Sequence, residues 1–196
     1  MLSWTKNMDM MKELSQEAYE YLEEIDPKSW CRAFFKEFPK SDMLLNNSCE
    51  VFNKYILDAR ELPIRSMLDK IKNQLMTRFY SKNTESDEWC GIIYPKIRKK
   101  LDKQVEMSNN CFAMPALKGI FQVTGLTGSY TVDLNKNVCE CRSWQLTGIP
   151  CRHAISCLRH ERLKPEDSVC QSYNISAYKQ AYDHGIMPCR DRKSVV

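Results

Sequence analysis

The sequence predicts an α+β chain, with a mostly helical N-terminal half followed by a small ββα-type unit. Three observations predict it. Apolar residues recur at three- and four-residue steps through about the first hundred positions. After Asn109 the pattern changes to short β-prone runs separated by turn residues. Within that second part, Cys139, Cys141, Cys151 and His153 stand in the spacing C-x-C-x9-C-x-H.

In the helical half, Met8, Met11, Leu14, Ala18, Leu22 and Ile25 mark one apolar face. Asp26-Pro27 restarts the chain: Asp26 suits a helix cap and Pro27 the first helical position. Trp30, Phe34 and Phe38 then line one side of a second helix that Pro39 stops. After the polar stretch 40–47, a third helix starts at Asn47 or Ser48, turns Phe52, Ile56 and Ala59 inward, and is ended or kinked at Pro63. Ile64, Met67, Leu68, Ile71 and Leu75 give a fourth. The segment 83–88 reads as a polar break, with Thr84-x-x-Asp87 as a capping-box variant ahead of Trp89, Ile93, Ile97 and Leu101.

In the second part, residues 120–123 form a β-prone run, Gly125-Leu126-Thr127-Gly128 a turn, and Tyr130, Val132 and Leu134 an alternating return strand. Residues 135–137 make another turn, Val138 to Cys141 a third short strand, and Arg152 to His160 a helix. The expected division is 1–105, helical; 110–165, hairpin and metal-ligand segment; and 166–196, a C-terminal tail.

Composition excludes several classes. The 196 residues, 23.0 kDa, have a mean hydropathy of −0.52 and 28% charged residues, as a globular chain does. No apolar run approaches the roughly 20 residues of a membrane helix, and the first eleven residues lack the apolar core of a secretory signal. A reducing, intracellular setting is therefore expected. Neither GxGxxG nor GxxxxGK[ST] occurs, so a phosphate-cradling nucleotide site has no support. The net charge of +4 permits a polyanion partner without requiring one.

Ten cysteines and three histidines invite a metal rather than a disulfide reading in such a setting. By chance the fixed three-Cys, one-His spacing would arise in about four chains per ten thousand of this composition. Zinc takes a tetrahedral set of thiolates and imidazole, and two ligand pairs on two chain segments can close that cage. Alternation puts Cys139 and Cys141 on one face of a strand, and Pro150 starts the helix that carries the second pair. Four protein ligands leave no open position, so the expected zinc is structural. Three thiolates and a neutral imidazole around Zn²⁺ leave a charge of −1, which Arg142 and Arg152 can offset. Cys157, four residues after His153, and His160 are alternative ligands; Cys31, Cys49, Cys90, Cys111, Cys170 and Cys189 show no ligand spacing.

The run from Val138 to Ile155, with its C-x-C-x9-C-x-H core, resembles the SWIM zinc finger, in particular the version in plant Mutator-like element transposases. Tyr173, Ala177-Tyr178-Lys179-x-x-Tyr182 and Ile186-Met187-Pro188 are similar to the tail that follows the finger there. Upstream, Trp30 to Phe35, Asn46 to Asn53 and Ala59 to Ile64 resemble the end of the transposase's ribonuclease-H-like core. The resemblance implies that Glu50 matches the third metal-binding acid of that core. It also implies that the two catalytic aspartates lie upstream of where this chain begins. One carboxylate cannot hold the two metals of strand transfer, so no autonomous enzymatic activity is expected and Glu50 is vestigial.

The expected function is that of a transposase-derived, zinc-binding protein of the nucleus whose finger binds DNA or protein. Lys96, Arg98, Lys99, Lys100 and Lys103, with Arg142 and Arg152 beside the finger, are the candidate phosphate-binding residues. Trp144 is a candidate for stacking or for the core. The alternative is a transcription regulator or protein-interaction module, as in domesticated relatives such as the far-red-impaired-response family, with the helical half as its assembly surface.

Overall fold

The computed structural model describes residues 2–38, 40, 47–126 and 128–188. The stop expected at Pro39, most of the polar stretch after it, Thr127 and Cys189 lie outside them. By packing, the chain divides into two compact units. One comprises residues 1–44 and 103–168, the other 45–102 and 169–196.

The first unit begins with α1 (Leu2–Leu14) and α2 (Gln16–Glu23). The single face expected over residues 8–25 is therefore broken. Ser15 caps a new helix, its hydroxyl accepting from Ala18 N–H at 3.3 Å, and Leu14 is left 84% exposed while Met8 is buried. Asp26 and Pro27 act as the sequence predicts: the Asp26 carboxylate accepts from Lys28 N–H at 3.0 Å at the start of α3 (Pro27–Trp30). That helix is shorter than expected, giving way to a 3-10 turn at Arg32–Phe34 and leaving Phe38 exposed.

In the second unit α4 (Asn47–Tyr55) and α5 (Leu57–Arg60) replace the one expected third helix; Ala59 turns inward as predicted and Ile56 partly so, whereas Phe52 is 43% exposed. The 24-residue α6 (Ile64–Asp87) corrects the expected break at 83–88. Its polar residues satisfy themselves on the helix. Thr84 Oγ1 donates to Tyr80 O at 3.0 Å, Ser86 Oγ to Asn83 O at 2.6 Å, and Lys82 pairs with Glu85. Thr84-x-x-Asp87 thus lies in a last turn and caps nothing. α7 (Pro95–Met107) follows, its residues 95–102 in this unit and the rest in the first, burying Ile97 and Leu101 as their spacing predicts.

The remaining elements of the first unit form a four-stranded antiparallel sheet of order β1-β2-β3-β4: β1 (Phe112–Leu117), β2 (Ile120–Gly125), β3 (Gly128–Asp133) and β4 (Val138–Cys139). The predicted hairpin is β2-β3, closed at Gly125↔Gly128, where Gly128 has φ +128°. β1 is the strand that periodicity does not predict. In a two-residue hairpin the flanking pair is hydrogen-bonded, so Phe121, Val123 and Gly125 bond to β3 while Gln122 and Thr124 bond to β1. Pro115, opposite Phe121, then turns its nitrogen to the open edge, the one place where a strand proline loses no ladder bond. Between β1 and β2, Gly119 takes φ +78°, and a Cβ there would run into the Asn135 side chain.

Two helices complete this unit: α8 (Ser143–Thr147), which sequence reasoning missed, and α9 (Arg152–His160), which it placed. The sheet's inner face, Phe121, Val123, Val132 and Cys139, forms one core with Trp144, Cys151, Ala154 and Cys157. In the second unit, the stretch expected as tail contains α10 (Ile175–Asp183), which packs on α6. Ile93 bridges Asn174, and the rings of Trp89, Tyr94, Tyr178 and Tyr182 stack in a chain ending on Phe79.

Candidate metal centre

Cys139 ends β4, and the chain then turns sharply. Arg142 N–H donates to Cys139 O at 2.8 Å, and Arg142 takes a left-handed conformation, φ +61°. This knuckle brings Cys141 back beside Cys139 and launches α8. Gly148, φ +70°, ends α8, and Pro150 leads into Cys151, the N-cap residue of α9. His153 follows in the first helical turn. The β-turn-α path therefore aims both ligand pairs at one point.

There the Sγ atoms of Cys139, Cys141 and Cys151 and a ring nitrogen of His153 all lie within 4.8 Å of one another. Cys139 Sγ is 3.7 Å and Cys151 Sγ 4.0 Å from His153 Nδ1. Tetrahedral zinc with ordinary Zn–S and Zn–N bonds sets edges of about 3.5–3.8 Å, so the cage is close to the size the ion needs. Cys139, Cys151 and His153 are buried and Cys141 partly so.

The electrostatics of the donor set call for a cation. Hydrogen bonds from the neighbouring Cys139 and Cys151 thiols, helped by Ser143 N–H, hold the Cys141 thiol well below its usual range. The same contacts work against the others. The bond to Cys141, with burial, pushes Cys139 up to about 12, while Cys139, Cys141 and burial push Cys151 up. Crowded, buried sulfurs oppose one another's ionisation, and a bound cation would compensate the charge. The N-terminus of α9 and the Arg152 guanidinium, whose Nε is 3.3 Å from His153 Nε2, add positive potential.

Two residues that sequence reasoning did not single out hold the cage in shape. Gln145, 4% exposed, clamps the Cys139 backbone: its Oε1 accepts from Cys139 N–H at 3.1 Å and its Nε2 donates to Cys139 O at 2.8 Å. Tyr130 stacks on the His153 ring, 4.3 Å between centroids. A glutamine inside a short helix carries no sequence signal for such a clamp. Tyr130 could have been found, since strand alternation places it on the inner face with Val132.

The alternative ligands fall away. Cys157 is fully buried in the core, where burial pushes its thiol up to about 12, and His160 is exposed, facing Glu161 at 3.4 Å. Cys111 is a core thiol as well. Trp144 is buried with its indole N–H on Ser168 O at 3.3 Å, which makes it core rather than a stacking platform. Arg142 reaches Phe35 O at 2.9 Å and Arg152 lies at the cage, so neither side chain stands away from the protein. Lys96, Lys99 and Lys103 are exposed on α7, Lys100 is partly exposed, and Arg98 pairs with Asp102 at 3.1 Å. Glu50 is exposed in the first turn of α4. Among the described residues the four-ligand cage is the one cluster of three or more such groups able to hold a metal, and no helix is long and apolar enough to cross a membrane.

No curated protein and no solved structure matches the chain. The model of one protein family does, over residues 121–159, a span that runs from β2 through the cage to the penultimate residue of α9, and by that match the segment is a SWIM zinc finger whose Cys139, Cys141, Cys151 and His153 can bind one zinc ion.

Proposed function

We propose that this is a transposase-derived nuclear protein in which a structural zinc shapes a finger that binds DNA. The closed cage carries the reading: with four protein ligands, most of them buried, the zinc has no open position for a substrate, so its role is to fix a surface. Exposed positive charge for phosphate contact lies on α7. Lys96, Lys99, Lys100 and Lys103 recur at i, i+3, i+4 and i+7 and share one side of the helix, apart from the buried Ile97 and Leu101. Phosphate binding through them makes retention on duplex DNA fall steeply with salt, and Lys96→Ala with Lys99→Ala lowers the log–log slope by up to about one per lysine. A flat salt profile refutes the reading.

The chain performs no strand transfer by itself on this reading, and Glu50 is a remnant of a metal site whose other acids are elsewhere. Metal-dependent cleavage of DNA by the purified chain, abolished by Glu50→Ala, would reverse that conclusion.

A second reading, a protein-interaction module of a transcription regulator, is favoured by one observation. Phe112 and Met114 lie on the face of β1 opposite Ala113 and Pro115, with Gln122 and Thr124, and are 75% and 70% exposed. Large apolar side chains on an outer sheet face suit a protein partner better than a phosphate backbone. Salt-insensitive capture of a protein, lost with Phe112→Ser and Met114→Ser, would decide for it.

A further inference from the structure

The segment before the finger is fastened to the ligand loop at two points. Arg142, the residue after ligand Cys141, donates from Nη2 to Phe35 O at 2.9 Å. Lys40 Nζ donates to the backbone carbonyl of Gln145 at 2.9 Å, and Gln145 is the residue whose amide clamps ligand Cys139. Each contact joins positions more than a hundred residues apart, and each lies one step from a cysteine of the cage.

Burial fixes the segment weakly: among residues 4–38 and 40, Met8 is the one side chain classed as buried. Its helices are short, and α3 spans one turn, well below the length at which a helix stands alone. Among the described residues its aromatic contacts, Trp4 edge-on to Phe34 at 5.2 Å and Lys12 over the Tyr19 ring at 5.2 Å, are internal to the segment. Both anchors depend on the knuckle being formed: the Arg142 side chain points where it does because its backbone sits at φ +61° between Cys141 and α8, and the Gln145 carbonyl is presented by the same short helix.

From this we infer that residues 27–38, with Lys40, form a metal-dependent arm that docks on α8 through Arg142 and Lys40 when zinc closes the cage and is released when the cage opens. Zinc does not touch the arm. It fixes Cys139 and Cys141, these fix Gln145 and Arg142, and those two residues hold the arm. The inference rests on the zinc cage and is independent of DNA binding.

The test uses the full chain loaded with zinc, and two variants, Arg142→Asn and Lys40→Asn, chosen because asparagine tolerates the left-handed backbone that both positions adopt. Zinc content is measured alongside tryptic cleavage at Lys28, Arg32 and Lys36, all exposed. Each variant is expected to keep one zinc per chain and to be cut in the arm about tenfold or more faster than the parent, the loss that follows from one hydrogen bond to a charged group. In a second measurement, titrating zinc into the metal-free parent should raise hydrogen-exchange protection at residues 27–38 in step with protection of α9. Cleavage of both zinc-loaded variants at the parental rate, or arm protection indifferent to zinc, overturns the inference.

Discussion

The finger and the helices of the second unit use similar residues with opposite results. In the finger, Phe121, Val123, Val132, Ala154, Ile155, Cys157 and Leu158 are each no more than 2% exposed. Along α6, Met67, Ile71 and Leu75 continue an equally regular apolar stripe, yet none is fully buried, and Ile64 and Leu68 are 67% and 58% exposed. The difference is what each face meets. A sheet closed by a helix makes two layers with a dry interior, whereas a long helix met by the nine-residue α10 and the short α5 leaves much of its stripe uncovered. Periodicity specifies a helix; burial needs a second layer of matching size.

The largest test of that comparison removes the metal. Structural zinc contributes roughly 10–16 kcal/mol in zinc-finger peptides, and a finger this small cannot replace that from its core. Chelation, or Cys151→Ser, is expected to abolish the near-ultraviolet signal of Trp144 and the sheet while helical circular dichroism from α6 and α10 persists. Simultaneous loss of both would show one cooperative body and end the contrast.

The next test compares single side chains. Phe121→Ala empties a fully enclosed site and should cost about 3–5 kcal/mol. Leu68→Ala deletes a similar apolar mass from an exposed stripe and should stay within about 0.5 kcal/mol. Denaturant midpoints of the zinc-loaded chain measure both, and comparable losses would mean that the α6 stripe is covered in solution.

The cage was legible because its signal is chemical: three cysteines and a histidine at fixed spacing define a donor set before any fold is known. The β2-β3 hairpin was legible through Gly125, Gly128 and alternation. β1 was not, because Pro115 reads as a strand breaker until one knows that its nitrogen faces an open edge. The break expected at 83–88 failed for a related reason. Asn83, Thr84 and Ser86 favour caps and turns on average, but here the Thr84 and Ser86 hydroxyls bond back to helix carbonyls, so local hydrogen bonding overrides propensity. Gln145 was illegible in principle, since its clamp on Cys139 depends on a turn geometry that no periodicity encodes.

That clamp gives a smaller prediction. Gln145→Ala leaves the buried Cys139 N–H without its partner, worth about 1–3 kcal/mol when unsatisfied, while the Cys139 carbonyl keeps the bond from Arg142 N–H. A loss of about 1–3 kcal/mol is expected, together with weaker zinc retention in a chelator competition. Gln145→Glu restores the acceptor but not the donor and places a negative charge beside thiolates, so it should not rescue. Full rescue by glutamate would show that the clamp is not the source of the effect.

The smallest effect concerns pH and separates the core from the cage. Burial pushes the Cys157 thiol up to about 12 in the folded chain, against about 8.5 for a free cysteine. The sign follows from the neutral form being the one the core accepts. Its contribution is complete below about pH 8.5, declines as the unfolded thiol ionises, and is lost as pH approaches 12. Just above pH 8.5 the slope tends toward about 1.4 kcal/mol per pH unit, so stability of the zinc-loaded finger should fall by about 1 kcal/mol between pH 8.5 and 9.5. Cys157→Val has no proton to lose there and should flatten that slope while keeping one zinc. An unchanged slope in the variant would place the alkaline sensitivity outside the core and leave Cys157 as packing alone.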